Sequence, residues 1–139
     1  GTTLRYTPSD CFETFPRPFF DSEKEQEIKH IGRKHYEYRD GILNKRKIGL
    51  TDLYNMFHNS SEISEDIQSL RKIEVELDKI VASAYRWTDL HLEHGFHETK
   101  QGFRFGISEN ARKNILQRLL KLNNERYELE EKTSLLRAN

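Results

Sequence analysis

Histidines and acidic residues are concentrated in one short stretch of this 139-residue chain, DLHLEHGFH. His91, His94 and His97 fall three residues apart, with Asp89 and Glu93 beside them. On a continuous helix this spacing would bring imidazoles to one face, where they would suit zinc. A glycine interrupts the stretch, and neither HExxH nor a zinc-finger pattern is present. The pattern therefore favours surface or half-buried histidines, and we assign no metal ligand; a small histidine-metal enzyme is an alternative, and it predicts stoichiometric metal.

The other reactive side chains give no recognisable catalytic set. Cys11 lies between an aspartate and a phenylalanine, where nothing would lower a thiol pKa, so a packing role is favoured. Glu74, Glu76 and Asp78 resemble a solvated helix face rather than an acid and base pair. No glycine-rich phosphate loop is present. We therefore assign no catalytic residue.

Basic residues are balanced by acidic ones, 23 against 23, so any nucleic-acid contact must be a local patch. Five positions are candidates for contact with DNA phosphates: Lys45, Arg46, Lys47, Lys100 and Arg104. The structural alternative is that the first three simply place positive charge at a helix carboxyl terminus. The last two lie in the irregular insert, and its segment Gly102 to Gly106, with Phe103 and Phe105, is the better candidate for contact because small irregular elements often carry binding.

Periodicity predicts three long helices and one short helix around these residues. The first long helix is expected to run from Ser22, or from a cap at Asp21, to about residue 47, where Gly49 ends it. The second is expected to run from about Ser64 to Tyr85. A short helix capped by Thr51 lies between them. The first two long helices carry narrow apolar seams at heptad-like spacing, which predicts an antiparallel hairpin. Their expected seam residues are Ile28, Ile31, His35, Tyr38 and Ile42 in the first, and Ile63, Ile67, Leu70, Leu77, Val81 and Ala84 in the second.

The third long helix is expected from a cap at Ser108 to about Lys132, followed by a frayed tail. Its wider apolar face contains Ile115, Leu116, Leu119, Leu120, Leu122 and Tyr127. Between residues 87 and 107 the helical period fails, and GFRFGI predicts a short strand or hairpin arm.

Residues 1–20 form what we call the amino-terminal strap. The strap contains all three prolines, the single cysteine and four of the eight phenylalanines of the chain. Proline restricts this stretch to extended geometry with about one helical turn. Because its aromatic side chains would be an aggregation hazard in water, the strap must pack on these helices or on a further domain. We also expect, from the abrupt start at Gly1, that the chain is part of a longer polypeptide.

Together these patterns predict a mainly α fold: an extended strap over 1–20, then a helical domain over 21–139 with an irregular or β insert at about 87–107. A single cysteine and no secretory leader favour an intracellular, cytoplasmic protein. With no apolar run near 18 residues, we expect no membrane span.

Several long phrases in this sequence resemble one protein family. RYTPSDCFETFP looks like the segment that closes the target-recognition region of type IIG-like restriction-modification proteins, which contain an adenine-N6 DNA methyltransferase. GLTDLYNMFHN, LRKIEVELDKIVASAYRWTDLHLEHGFH, GFRFGISENAR and ILQRLLKLNNERYELEE also read, in order, like the carboxyl-terminal region of such proteins. By pattern alone, the strap followed by a capped helix is similar to the exit from a recognition domain in type I specificity subunits.

The resemblance implies a helical spacer or scaffold that positions a DNA-recognition domain against the methyltransferase. S-adenosylmethionine would bind elsewhere in the parent protein, because the NPPY-type loop, the cofactor strand and a nuclease motif do not occur here. DNA, through the parent protein, and the remaining domains of the same polypeptide are the expected partners. The alternative is a stand-alone helical adaptor that pairs through its seams and shows no dependence on DNA.

Overall fold

The computed structural model describes residues 22–138. The strap with Cys11, Asp21 and Asn139 lie outside the described residues, so the interpretations that fall on them are not addressed by the fold. In chain order the elements are α1 (Ser22–Arg46), α2 (Leu50–Phe57), α3 (Glu65–Ala84), β1 (Gly95–Thr99), β2 (Gly102–Gly106) and α4 (Glu109–Ala138). The predicted mainly α fold with a small β insert is confirmed.

Helices α1 and α3 pack side by side and run in opposite directions. The Lys24 Nζ lies 3.3 Å from the Ser83 Oγ, which joins the start of α1 to the end of α3. At the other end of the pair, Arg46 forms an ion pair with Asp66, joining the end of α1 to the start of α3. The predicted antiparallel helical hairpin is therefore confirmed.

Helix α1 ends through a left-handed residue that is not glycine. Lys47 has φ of 54°, and the N–H of Ile48 donates to the carbonyl of Leu43 at 3.2 Å. This is the six-to-one bond of a Schellman motif, which satisfies one of the last free carbonyls of the helix. The expectation that Gly49 ends α1 is wrong, because the chain has already turned at Lys47.

Helix α2 begins one residue earlier than its predicted cap. Gly49 is the N-cap, in extended geometry and without a side-chain hydrogen bond, so the assignment of Thr51 as the cap is wrong. Its apolar face is as expected, since Leu53 and Phe57 are fully buried. This short helix packs across one end of the helix pair, where α1 ends and α3 begins.

Two groups of buried side chains form the interior. The lower cluster contains Ile42, Leu53, Phe57, Ile67 and Leu70 and lies beneath α2. In the upper cluster, α4 packs against the helix pair α1 and α3. This cluster contains Ile28, Val81, Ala82, Ala84, Tyr85, Leu92, Ile115 and Leu119. Most of the predicted seam residues are buried, but Ile63 is 72% exposed because it precedes the first turn of α3.

Helix α4 is capped as predicted, since the N–H of Ala111 donates to the Ser108 Oγ at 3.0 Å. Only its first half packs on the body. Leu120 and Tyr127, both expected in its apolar face, are 48% and 61% exposed. The helix also continues to Ala138, so the expectation of a frayed tail after residue 132 is wrong.

None of the helices between residues 22 and 138 combines the length and apolarity that crossing a bilayer requires.

Candidate functional site

The predicted insert contains a two-stranded antiparallel hairpin, β1–β2, which pairs Gly95 with Gly106 at its base and Thr99 with Gly102 at its tip. Gly102 has φ of +100°, a conformation that glycine adopts without steric cost. The Thr99 Oγ1 donates to the Gly102 carbonyl at 2.7 Å and accepts from the N–H of Gln101 at 3.1 Å. The turn is therefore held by local hydrogen bonds.

The base of the hairpin is anchored on the lower cluster by aromatic contacts. The Phe105 ring lies edge-on to Phe57 at 5.4 Å and to its cross-strand partner Phe96 at 5.3 Å. The Phe105 N–H also donates to the His58 Nδ1 at 3.1 Å. These contacts join β2 to the end of α2, a junction of residues 47 positions apart in sequence.

Arg71 is the buried cation beneath this junction, with only 7% of its surface exposed. Its guanidinium donates to four backbone carbonyls at 2.9 to 3.1 Å, those of Met56, Phe57, Asn59 and Glu62. These carbonyls belong to the end of α2 and the loop after it, where helix carbonyls lack partners and the helix dipole is negative. Arg71 thus serves as the cap of α2.

The same guanidinium also supports the hairpin. Its central carbon lies 5.0 Å from the Phe96 ring centre, 5.9 Å from that of Phe105 and 6.0 Å from that of Phe57. Cation–π attraction is strongest when the cation is shielded from water, as it is here. Burial lowers the pKa of Arg71, but a guanidinium stays charged at any physiological pH. Arg71 therefore holds α2 and the hairpin together.

The tip of the hairpin is exposed although its base is anchored. Residues 98–103 are all exposed, and Phe103 has 65% of its surface in contact with solvent. Phe103 is paired across the strands with Glu98, and Lys100 lies in the turn. The result is a two-stranded element, anchored at its base, that presents the Phe103 ring, the Lys100 ammonium group and the Glu98 carboxylate to solvent.

Charges of both signs lie where the hairpin tip approaches the start of α4. Hydrogen bonds from Arg112 lower the pKa of the Glu109 carboxyl, and the charges of Arg112, Lys113 and Lys100 lower it further. The influence of Lys100 shows that the hairpin turn lies within electrostatic reach of the first turn of α4. Two further carboxylates lie nearby, since Glu93 accepts from the Ser108 Oγ at 2.8 Å and Glu98 is exposed on the same hairpin, so the charge there is mixed.

The three basic candidates at the end of α1 have different environments. Lys45 and Lys47 are exposed. Arg46 instead binds both carboxylate oxygens of Asp66, at 2.8 and 2.7 Å, and the Ser64 Oγ at 3.0 Å. This hydrogen-bonded pairing lowers the pKa of Asp66 to about 2. Arg46 therefore fastens the two long helices together, whereas its neighbours point into solvent.

Arg104, the remaining candidate, lies in β2 opposite His97 and is half-buried. Its Nε is shielded from solvent and has no hydrogen-bond partner in the part of the chain that the structure describes. Lys100 is therefore better placed than Arg104 for contact with a phosphate group.

The structure separates the three histidines of DLHLEHGFH. His91 is exposed in the loop before β1, and the His97 Nε2 lies 2.7 Å from the carbonyl of Glu93. The His94 Nε2 lies 2.9 Å from the buried Asp78 Oδ2. Within residues 22–138 no three metal-binding side chains are placed to share an ion.

Asp78 differs from its expected environment. The sequence placed it on a solvated face with Glu74 and Glu76, but it is only 1% exposed. The charge of Asp78 also acts on His35. Burial and the charge of Arg39 lower the pKa of His35, and the charge of Asp78 raises it in part. Asp78 therefore links α3 to the loop before β1, and its charge acts on His35 of α1. The sequence does not reveal this role, because Asp78 occurs among other acidic residues of the same helix.

No family model, characterised protein sequence or solved structure matches this chain. The arrangement offers no assembled acid, base and nucleophile within the described residues. What it does offer chemically is an exposed aromatic ring and an ammonium group, beside one carboxylate, on a hairpin whose base is anchored.

Proposed function

We propose that this chain is a helical scaffold of a restriction-modification protein with an adenine-N6 DNA methyltransferase, and that it supports target recognition in a cytoplasmic enzyme. The five phrases from RYTPSDCFETFP to ILQRLLKLNNERYELEE support this family through their resemblance. Catalysis and S-adenosylmethionine binding would lie in the rest of that protein, and its other domains would be the partners of this one.

The observation that supports a direct contact with DNA is the exposed tip of a hairpin whose base is anchored. Lys100 would neutralise a backbone phosphate, and Phe103 would stack on a base or wedge beside a base step. Because Arg71 and Phe105 fix the base of the hairpin, little conformational entropy would be lost when the tip binds. A rigid element of this kind suits a scaffold that must hold DNA in register.

A salt-titrated binding assay on mixed-sequence duplex DNA tests this contact. We expect binding that weakens with salt, because each neutralised phosphate releases counterions. Lys100→Glu should weaken binding and reduce the salt slope. Phe103→Ser should weaken binding without changing the salt slope, because it removes stacking and no charge.

Lys45→Glu is the matched control for charge, since Lys45 is an exposed lysine at the end of α1. If Lys45→Glu weakens binding and Lys100→Glu does not, the contact lies at the end of α1 and the hairpin assignment is wrong. If neither the chain nor the full-length parent protein binds duplex DNA at low salt, the DNA-supporting role itself is wrong.

A second function, a helical adaptor for other proteins, is favoured by one observation. The last turns of α4 expose Leu129, Leu135 and Leu136 at 65%, 67% and 78%. An adaptor that paired through this face would self-associate or bind a partner helix whether or not DNA is present. Sedimentation across a range of protein concentrations, with and without DNA, distinguishes the two functions.

A further inference from the structure

An open groove lies at the upper end of the molecule, where α3 finishes and the middle of α4 passes it. It has a volume of about 310 Å³. Its lining residues are Tyr85, Trp87, Leu122, Arg118, Lys121 and Glu125. The first three give it an apolar floor, and the others place charges of both signs along its rim.

The walls of this groove are fixed by contacts among described residues. The rings of Tyr85 and Trp87 are stacked, with centres 4.5 Å apart and planes 21° from parallel. Arg118 lies over the Trp87 ring at 5.7 Å and is held in place by two hydrogen bonds to Asp89, at 3.0 and 2.8 Å. The groove is therefore preformed.

An apolar seam leads out of the groove along α4. Leu122, Leu129 and Leu136 recur at seven-residue spacing, so they lie close to one face of the helix. Leu122 is half-buried at the groove, whereas Leu129 and Leu136 are exposed. The seam is interrupted, because the positions between its leucines on that face are polar: Glu125, Arg126, Lys132 and Thr133.

The amino-terminal strap joins the described structure at this same end. Helix α1 begins at Ser22, and Lys24 already contacts Ser83, two residues before Tyr85. Sixteen extended residues, Arg5 to Phe20, span at most roughly 50–58 Å. The exposed part of α4, residues 120–137, is about 27 Å long. The strap is therefore long enough to cross the groove and follow the seam.

We propose that residues 5–20 of the same chain occupy this groove and cover the apolar seam of α4. The segment has the matching chemistry: it carries five aromatic side chains, Tyr6, Phe12, Phe15, Phe19 and Phe20. Each aromatic ring buries on the order of 150–250 Å² when covered. Its three prolines restrict the free segment to extended conformations, which reduces the entropy lost on docking. The proposal does not depend on the DNA-supporting function.

The chain contains its own pair of probes for this contact. Trp87, on the floor of the groove, is the only tryptophan, and Cys11, in the middle of the strap, is the only cysteine. An energy acceptor attached to Cys11 in the full chain should quench Trp87 emission in native buffer. The transfer should fall when Leu122→Glu places a charge on the groove floor, although it should stay above its denatured value because Lys24 still holds the start of α1 beside Ser83.

Phe103→Ser is the matched control, because it changes an exposed residue at the hairpin tip and should leave the transfer unchanged. Acrylamide quenching of the unlabelled chain checks the effect of the label: Trp87 should be shielded in the full chain and become accessible in the Phe12→Ser, Phe15→Ser double variant. Equal transfer in the native chain and in folded Leu122→Glu would overturn the proposal.

A second copy of the chain is the rival occupant. Labelled protein is therefore mixed with an excess of unlabelled chain that carries Cys11→Ser and Trp87→Phe. Unchanged transfer supports docking within one chain. Transfer that falls on mixing would show that the strap reaches the groove of another copy, and would overturn the intramolecular proposal.

Discussion

The two ends of this molecule are built differently. At the lower end a short helix, a buried arginine and the hairpin base close over the apolar cluster, so that end is complete within residues 22–138. At the upper end α4 packs by its first half only, and the apolar surface continues into an open groove. One end of the chain therefore suits a rigid contact surface, and the other suits a docking surface for further polypeptide.

Arg71→Met should give the largest difference in free energy of unfolding between the two ends. It removes the guanidinium donors of four backbone carbonyls, of which those of Met56 and Asn59 keep a backbone N–H partner. Each buried acceptor that loses its donor costs about 1–3 kcal/mol, so the two remaining carbonyls should cost about 2–5 kcal/mol in all. The matched change at the upper end, Arg118→Met, should cost less than about 1 kcal/mol because its partner Asp89 is 75% exposed. Urea unfolding followed by circular dichroism measures both. Equal losses of free energy of unfolding would contradict the assignment of Arg71 as the clamp of the lower end.

Two leucines on α4 test where the packed part of that helix ends. Leu119 is 1% exposed, and Leu119→Ala should cost about 2–5 kcal/mol through lost burial and a cavity. Leu129 is 65% exposed, and in the described body Leu129→Ala should stay within about 0.5 kcal/mol. In the full chain the docking proposal covers Leu129, so it predicts a larger loss there that disappears when the strap aromatics are also replaced. A loss that persists in that background would contradict the conclusion that only the first half of α4 is packed.

The ion pair at the lower end should make stability depend on acid. Because Arg46 lowers the pKa of Asp66 from its ordinary 3.8 to about 2, the folded state binds this proton less readily than the unfolded state. The resulting stability is present above about pH 4 and is lost as the pH falls towards 2. After allowance for solvent screening it amounts to about 1–2 kcal/mol. Urea titrations between pH 5 and 2 should show this fall in the native chain and a shallower one in Arg46→Met, and equal slopes would contradict it.

Much of the fold was predictable because it depends on local patterns. The heptad-like seams gave the antiparallel helices, and the Ser108 cap is present as predicted. The end of α1 was predicted wrongly because Lys47, and not a glycine, adopts the left-handed conformation that ends the helix. Local spacing also does not show how far along α4 its apolar face finds a neighbour, so the exposure of Tyr127 was missed.

The site was less predictable because its geometry depends on contacts distant in sequence. Phe103 and Lys100 were recognisable as binding candidates from composition and the glycines around them. The role of Arg71 was missed, since an arginine between apolar helix positions has no sequence signal that distinguishes a carbonyl clamp from an exposed residue. Asp78 was misjudged for the same reason, because its burial depends on α1 and on the loop that contains His94.

Photo-crosslinking to duplex DNA tests the central claim most directly. The photoreactive residue p-benzoylphenylalanine would replace Phe103 at the hairpin tip in one sample and Leu129 on α4 in another. The account predicts that the group at position 103 captures DNA in a salt-sensitive manner and that the group at position 129 does not. Capture at position 129 alone, or no capture at position 103 under conditions where the chain binds DNA, would contradict it.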